Sequence, residues 1–174
     1  SDANQAVIGI YASYKSSALY SGYLTLLPDI QADLVYAVEG FSNTYGDIWR
    51  WDILATNREI EAVYSALYTT IGRCNYFFES IVDLENTLTD DEQLDKLQDL
   101  KGEAYFARAL AYSELIKCFC KAYEPATAEN ELGVALISSY YNPERMIRSS
   151  LKDSYAFVIS DLEKALDLVT LDET

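Results

Sequence analysis

Gly102-Glu103-Ala104-Tyr105-Phe106-Ala107-Arg108-Ala109-Leu110-Ala111-Tyr112-Ser113-Glu114-Leu115 is the stretch whose reading decides the fold. With Leu97 and Leu100 ahead of it, Ala104, Ala107, Ala111 and Leu115 recur at steps of three or four, which is one face of an α-helix. Three of these six residues are alanine. A stripe of small side chains lets a second helix approach closely, so this face predicts a helix–helix seam rather than a solvent face. Tyr105, Phe106, Tyr112 and Phe119 put bulk on the flanks, the pattern of a helix buried on more than one side.

Working outward, this helix should span about 90–123, behind the capping box Thr89-x-x-Glu92 and ahead of Pro125. A helix over about 57–84 precedes it, behind Thr56-x-x-Glu59, with Ile60, Val63, Leu67, Ile71, Cys74, Phe78 and Ile81 along one face. Only a short turn near 85–89 separates the two, which makes them an antiparallel hairpin. A first helix over about 3–19 has Asp2 as N-cap, Gln5 at the capping-box position and Val7, Ile10, Tyr11 and Tyr14 as its apolar face. Gly9 weakens it by roughly 1 kcal/mol unless close packing needs the gap. A last helix over about 151–169 follows Ser150-x-x-Asp153 and buries Tyr155, Val158, Leu162, Ala165 and Val169. Residues 22–55 break the pattern, with a short helix expected near 28–36. Long excursions of this kind are uncommon in compact domains and are often functional. Residues 124–149 form a second irregular link, with Gly133-Val134-Ala135-Leu136-Ile137 extended. The expectation is an all-α chain of tetratricopeptide-like helical hairpins with a long irregular excursion, one domain over 1–174, although the strict 34-residue repeat is absent.

Composition excludes several functions. Half of the 174 residues are hydrophobic and the formal net charge is −15, so the chain is globular and repels phosphate backbones and anionic membrane surfaces alike. That charge suits a neutral or cationic ligand. There is no histidine, which removes the Ser-His-Asp and Cys-His arrangements and the usual zinc sites. Cys118 and Cys120 point different ways on a helix, and with Cys74 they read as buried free thiols. Neither a metal nor a cofactor is expected. No apolar run reaches the ~20 residues that a membrane-spanning helix needs.

The order of these features resembles the SusD/RagB family of outer-membrane nutrient-binding lipoproteins of Bacteroidetes. Gly102–Leu115 matches its signature helix, Gly-Glu-Ala-x-Phe-x-Arg-Ala-x-x-Tyr-x-x-Leu. Ala6-Val7-Ile8-Gly9-Ile10-Tyr11 stands for the opening Ala-x-x-Gly-x-Tyr, and Leu27-Pro28-Asp29 with Asp33 for the variable region after it. Tyr64, Tyr68, Ile71 and Asn75 follow the Trp-x-x-x-Tyr-x-x-Ile-x-x-x-Asn pattern, with tyrosine for tryptophan. Gly133-Val134-Ala135-Leu136 lacks the proline of Gly-Val-Pro-Leu, and Cys120 stands where glycine is usual. Arg148, Ser150, Tyr155, Val158 or Ile159, Asp161, Leu162 and Ala165 complete the closing pattern. The resemblance implies the N-terminal portion of a longer protein. It also implies a lipid anchor upstream, on the outer face of the outer membrane, and a SusC-like TonB-dependent transporter as partner. The implied role is capture of a glycan or another nutrient without catalysis.

For ligand contact, Trp49, Trp51, Tyr45 and Phe41 are the aromatic candidates, because sugar rings present apolar C–H faces that stack on aromatic rings. Trp51, Asp52 and Asn57 combine a ring with a carboxylate and an amide in the region where the resemblance places part of the glycan site, and it adds Asp33. The competing reading makes the tryptophans plugs that seat the excursion on the helices. Arg108 and Asp161 read as structural, a buried ion pair or a carbonyl-capping arginine. Asp90-Asp91-Glu92 complements a helix start. Two further function classes compete. One is a tetratricopeptide-like protein-interaction scaffold with no small-molecule site. The other is a carboxylate-only enzyme such as a glycosidase, for which no clustered carboxylates speak.

Overall fold

A computed structural model describes residues 2–36, 38, 45–141 and 146–170. Among these lie α1 (Asp2–Tyr14), α2 (Tyr23–Gln31), α3 (Gly46–Trp49), α4 (Arg58–Ser80), α5 (Val82–Thr87), α6 (Asp91–Phe119) and α7 (Leu151–Leu168). The described residues form no strand, and the one β-bridge pairs Leu132 with Ser150. The all-α expectation holds.

The helix ends differ from the sequence reading where a neighbouring side chain caps better. Asn57 Oδ1 accepts from Ile60 N at 3.1 Å, so Asn57 rather than Thr56 starts α4. Asp90 Oδ1 accepts from Gln93 N at 2.9 Å and takes the place expected for Thr89. Ser150 caps α7 as expected, through Asp153 N at 3.0 Å. Asp2 is the first residue of α1 rather than its cap, and α1 stops at Tyr14, where Tyr20 N returns to Tyr14 O at 3.1 Å. Behind α4, Ser80 Oγ takes the Phe77 carbonyl at 2.8 Å in competition with the backbone, and the chain restarts as α5. α6 ends at Phe119 rather than Tyr123, because Arg148 donates to the Phe119 carbonyl at 3.1 Å and Cys120 is extended. Within the excursion the short helix is α2, five residues earlier than expected at its start, and it contains Pro28.

Two compact units divide the chain, one of Ser1–Tyr11 with Leu67–Thr174 and one of Ala12–Ala66. In the first, α6 lies between α4 and α7. Tyr68 meets Tyr112, Asn75 meets Arg108, and Phe78 stacks on Tyr105 at 4.3 Å; numbers rise on α4 as they fall on α6, so the pair is antiparallel. Tyr112 with Phe157 and Arg108 with Asp161 give α6 and α7 the same antiparallel sense. Ala104, Ala107 and Ala111 are wholly buried, as the stripe predicted, while Phe106 is exposed. Gly102 is needed for this packing, since a Cβ there would lie 2.6 Å from Val169 Cγ2 and 3.2 Å from the Ala165 carbonyl. Gly9 meets no such demand, for nothing lies within 4 Å of a Cβ there.

Extended residues 133–140 are strapped onto these helices by side chains. The Tyr68 hydroxyl donates to the Ala135 carbonyl at 3.0 Å and accepts from Ala135 N at 3.1 Å. Tyr112 does the same for Ile137, at 3.1 and 2.7 Å. Each hydroxyl supplies both bonds that a neighbouring strand would supply, and residues 135 and 137 face the same way because strand side chains alternate. At its start, Val134 N donates to Ser154 Oγ at 3.0 Å, and a Cβ at Gly133 would collide with that hydroxyl and with the Ser150 carbonyl.

One buried ion pair supports the strap from below. Arg108 is bidentate to Asp161, Nε to Oδ2 at 2.7 Å and Nη2 to Oδ1 at 2.9 Å, and its Nη1 donates to Asn75 Oδ1 at 2.7 Å. Asn75 Nδ2 then donates to the Ile137 and Ser139 carbonyls at 3.0 and 3.2 Å. The guanidinium lies over the rings of Phe78 and Phe157, 4.8 and 5.1 Å from their centroids. The structural reading of Arg108 and Asp161 therefore holds. Cys74 is buried, but Cys118 is exposed and Cys120 half-buried, so only the first fits the expected inert core thiol.

Candidate functional site

The second unit contains the candidate ligand residues. Its core is Tyr14, Leu19, Leu24, Leu27, Ile30, Ile48 and Val63, and α2 packs on α3. Ile48 is the buried anchor of the single helical turn α3. Beyond that turn the backbone closes in a Schellman arrangement: Trp51 N donates to the Ile48 carbonyl at 3.1 Å and Asp52 N to the Asp47 carbonyl at 2.8 Å. This arrangement requires a left-handed residue, normally glycine, at the place that Trp51 occupies with φ 58°. α2 ends in the same way, through Asp33 N to the Ile30 carbonyl at 3.3 Å and Leu34 N to the Asp29 carbonyl at 3.0 Å, with Asp33 at φ 57°.

The non-glycine residues at positive φ among those described are Asp33, Tyr45 and Trp51. All three are candidates from sequence. A left-handed L-residue costs roughly 1–2 kcal/mol, and such costs concentrate where function holds them in place. For Asp33 the cost is small, because short polar side chains tolerate this region; for a tryptophan it is not. Nor is Trp51 compensated by burial, since 63% of it is exposed. Trp51 is thus mostly exposed where the plug reading expects burial, whereas Trp49 is half-buried as the last residue of α3.

Directly after Trp51 opens a cleft of about 210 Å³ lined by Asp47, Asp52, Leu54, Thr56, Asn57 and Arg58. The structure therefore brings Asp52 and Asn57 together, beside the chain neighbour Trp51. Tyr45 and Trp49 do not line the cleft, and Tyr45 sets its ring against Tyr23, edge to face at 6.1 Å. Burial, then the neighbouring Tyr23 and Glu59, raise the Tyr45 phenol above its ordinary pKa. Asp33 lies at the end of α2 and is not a lining residue. Phe41 falls outside the described residues. Asn57 spends Oδ1 on its helix cap, which leaves Nδ2 as a donor toward the cleft. Asp52 is exposed, and its carboxylate has no hydrogen bond or ion pair among the described residues. Asp47 is held by Arg50 at 2.7 Å. Sequence reasoning missed Asp47, Thr56 and Arg58; the one available signal was the i, i+3 spacing of Asp47 and Arg50. Chemically the cleft offers carboxylate acceptors with amide, hydroxyl and guanidinium donors beside an exposed indole. Among the described residues no group of His, Cys, Asp and Glu is placed to hold a metal ion.

The described residues are thus helical hairpins with a polar cleft on the excursion that follows Trp51 in the chain. The chain belongs to the SusD-like family, whose model, described as starch-binding and associating with the outer membrane, matches residues 4–174. No curated protein matches it. Among solved structures, a SusD superfamily protein from Bacteroides thetaiotaomicron is 22% identical, with a TM-score of 0.79 over 95% of this chain and 36% of its own. A SusD superfamily protein from Bacteroides vulgatus is 22% identical, with a TM-score of 0.81 over 99% of this chain and 38% of its own. A third, also from Bacteroides vulgatus and provisionally named a sugar binding protein, is 24% identical, with a TM-score of 0.75 over 97% of this chain and 37% of its own. These likenesses establish the fold, and the chain spans well under half the length of each. No helix among the described residues is long and apolar enough to cross a membrane.

Proposed function

We propose that this chain is the N-terminal portion of a non-catalytic glycan-binding component of an outer-membrane uptake system. It would be lipid-anchored on the outer face and pair with a SusC-like TonB-dependent transporter. Family membership supports this reading. The observation that carries the site is Trp51, an exposed indole in a left-handed position beside the cleft of Asp52 and Asn57. A pyranose stacks its C–H face on the indole, and its hydroxyls donate to Asp52 and accept from Asn57 Nδ2. Tyr45, Trp49 and Asp33 shape the surrounding backbone in this scheme. Because the sugar carries no charge, binding is nearly independent of salt, unlike an electrostatic site.

Calorimetric titration of a glycan panel into the full-length protein and its Trp51→Ala variant tests this. Loss of binding with the helices intact is expected; a variant that binds as wild type places the site elsewhere. A specific feature favours the second reading, an interaction scaffold: the first unit has an apolar groove of about 430 Å³ lined by Tyr11, Phe106, Leu162 and Leu166. If no glycan binds, that reading takes precedence.

A further inference from the structure

We propose that Tyr76 and Tyr140 form a second, independent contact for a neutral pyranose glycan on the outer face of α4, an inference that rests on the glycan-binding reading above. Tyr76 is 56% exposed on α4 and Tyr140 is 58% exposed at the end of the strap, yet their rings meet with centroids 5.0 Å apart and planes inclined at 65°. Exposed tyrosines are ordinarily loose. Here the backbone that carries Tyr140 is anchored, and its ring packs edge-on against that of Tyr76. Tyr140 N donates to Glu79 Oε1 at 2.7 Å, one helical turn beyond Asn75. Asn75 holds the Ser139 and Ile137 carbonyls just before it and is itself fixed by buried Arg108 and Asp161. The ion pair at the centre of the unit thus ends, through the strap, in the placement of one exposed ring against another. Preorganised rings lose little entropy when a ligand arrives, which makes a small contact worth having.

The two inclined rings form a corner. A pyranose can lay its C–H face on one ring and its edge against the other, while the two phenol hydroxyls and the second oxygen of Glu79 meet its hydroxyls. The net charge of −15 on this chain disfavours anionic sugars.

The test is affinity electrophoresis of the full-length protein through gels containing amylopectin, pullulan, xylan or galactomannan. It compares wild type, Tyr76→Ala with Tyr140→Ala, Tyr76→Phe with Tyr140→Phe, and Trp51→Ala. For a polysaccharide that retards wild type, the alanine pair should weaken binding roughly tenfold, equivalent to about 1.4 kcal/mol. The phenylalanine pair keeps the rings and should stay close to wild type; Tyr76→Ala alone, on an exposed helix face, replaces the alanine pair if that does not fold. If the alanine pair binds as wild type while Trp51→Ala fails, this contact is overturned and the cleft survives. If the alanine pair fails while Trp51→Ala binds, the contact stands and the cleft assignment falls. A phenylalanine pair as weak as the alanine pair overturns stacking here. So does an alanine pair that keeps its glycan but no longer co-purifies with an outer-membrane transporter. No retardation of wild type by any of the four overturns both proposals.

Discussion

Replacing Arg108 by methionine removes a side chain that makes three short hydrogen bonds, two to Asp161 and one to Asn75. Methionine fills much of the volume, so the cost is electrostatic rather than steric. It leaves the Asp161 carboxylate, 1% exposed, with Lys164 Nζ at 3.7 Å on a half-exposed side chain as its remaining cationic neighbour. Breaking a buried pair by removing one partner costs about 3–5 kcal/mol, because the other charge stays desolvated. Against a total stability of roughly 5–15 kcal/mol, that is a large fraction. Urea denaturation followed by far-UV circular dichroism should show a lower midpoint with an unchanged slope, the sign that stability and not the extent of unfolding has changed. Adding Asp161→Leu removes the stranded charge and should recover about 2 kcal/mol or more relative to Arg108→Met alone, since well-packed apolar replacements of buried pairs are often close to neutral. A loss below about 1 kcal/mol in Arg108→Met, or a double variant no more stable than the single, would refute the reasoning.

Trp51→Gly should leave stability within about 1 kcal/mol of wild type, since relief of left-handed strain offsets the loss of the covered third of the indole; a drop of more than about 3 kcal/mol in thermal or urea unfolding would make Trp51 a structural plug after all. Ala111→Leu, in the wholly buried stripe of α6, should cost about 1–3 kcal/mol by overpacking, and an unchanged urea midpoint would contradict the seam with neighbouring helices. Burial pushes the Cys74 thiol and the Tyr112 phenol, ordinarily at 9.0 and 10.0, up to about 12. Their protonated forms therefore favour the folded state: that stabilisation is complete below pH 9 and is lost as pH rises through about 12. Urea midpoints measured from pH 8.5 to 11 should fall, and Cys74→Ala with Tyr112→Phe should flatten the slope.

The helices were legible because burial repeats with the period of the helix. The alanine stripe of α6, the stepped face of α4 and the Ser150 cap need no partner to be recognised. Helix ends were less legible, since Thr56 competes with Asn57 and Thr89 with Asp90, and only three-dimensional fit decides which oxygen reaches a free N–H. Of the cleft, Asp52, Asn57 and the neighbouring Trp51 were visible as a ring beside polar groups, whereas Arg58 and Asp47 look like ordinary surface charges until α3 turns back. Nothing local marks Trp51 as left-handed: glycine would have announced that turn, and tryptophan conceals it.

Periodicity and motif order alone determined an all-α chain and its family resemblance, because both are properties of residues near one another in the chain or of their order along it. Tertiary structure alone decided that Asn75, Arg108, Tyr112, Ile137 and Asp161, spread over three helices and a strap, are one connected hydrogen-bonded unit. The physical reason is that a buried donor must be paired, and its partner is whichever acceptor packing brings within about 3 Å, however far away it lies in the chain.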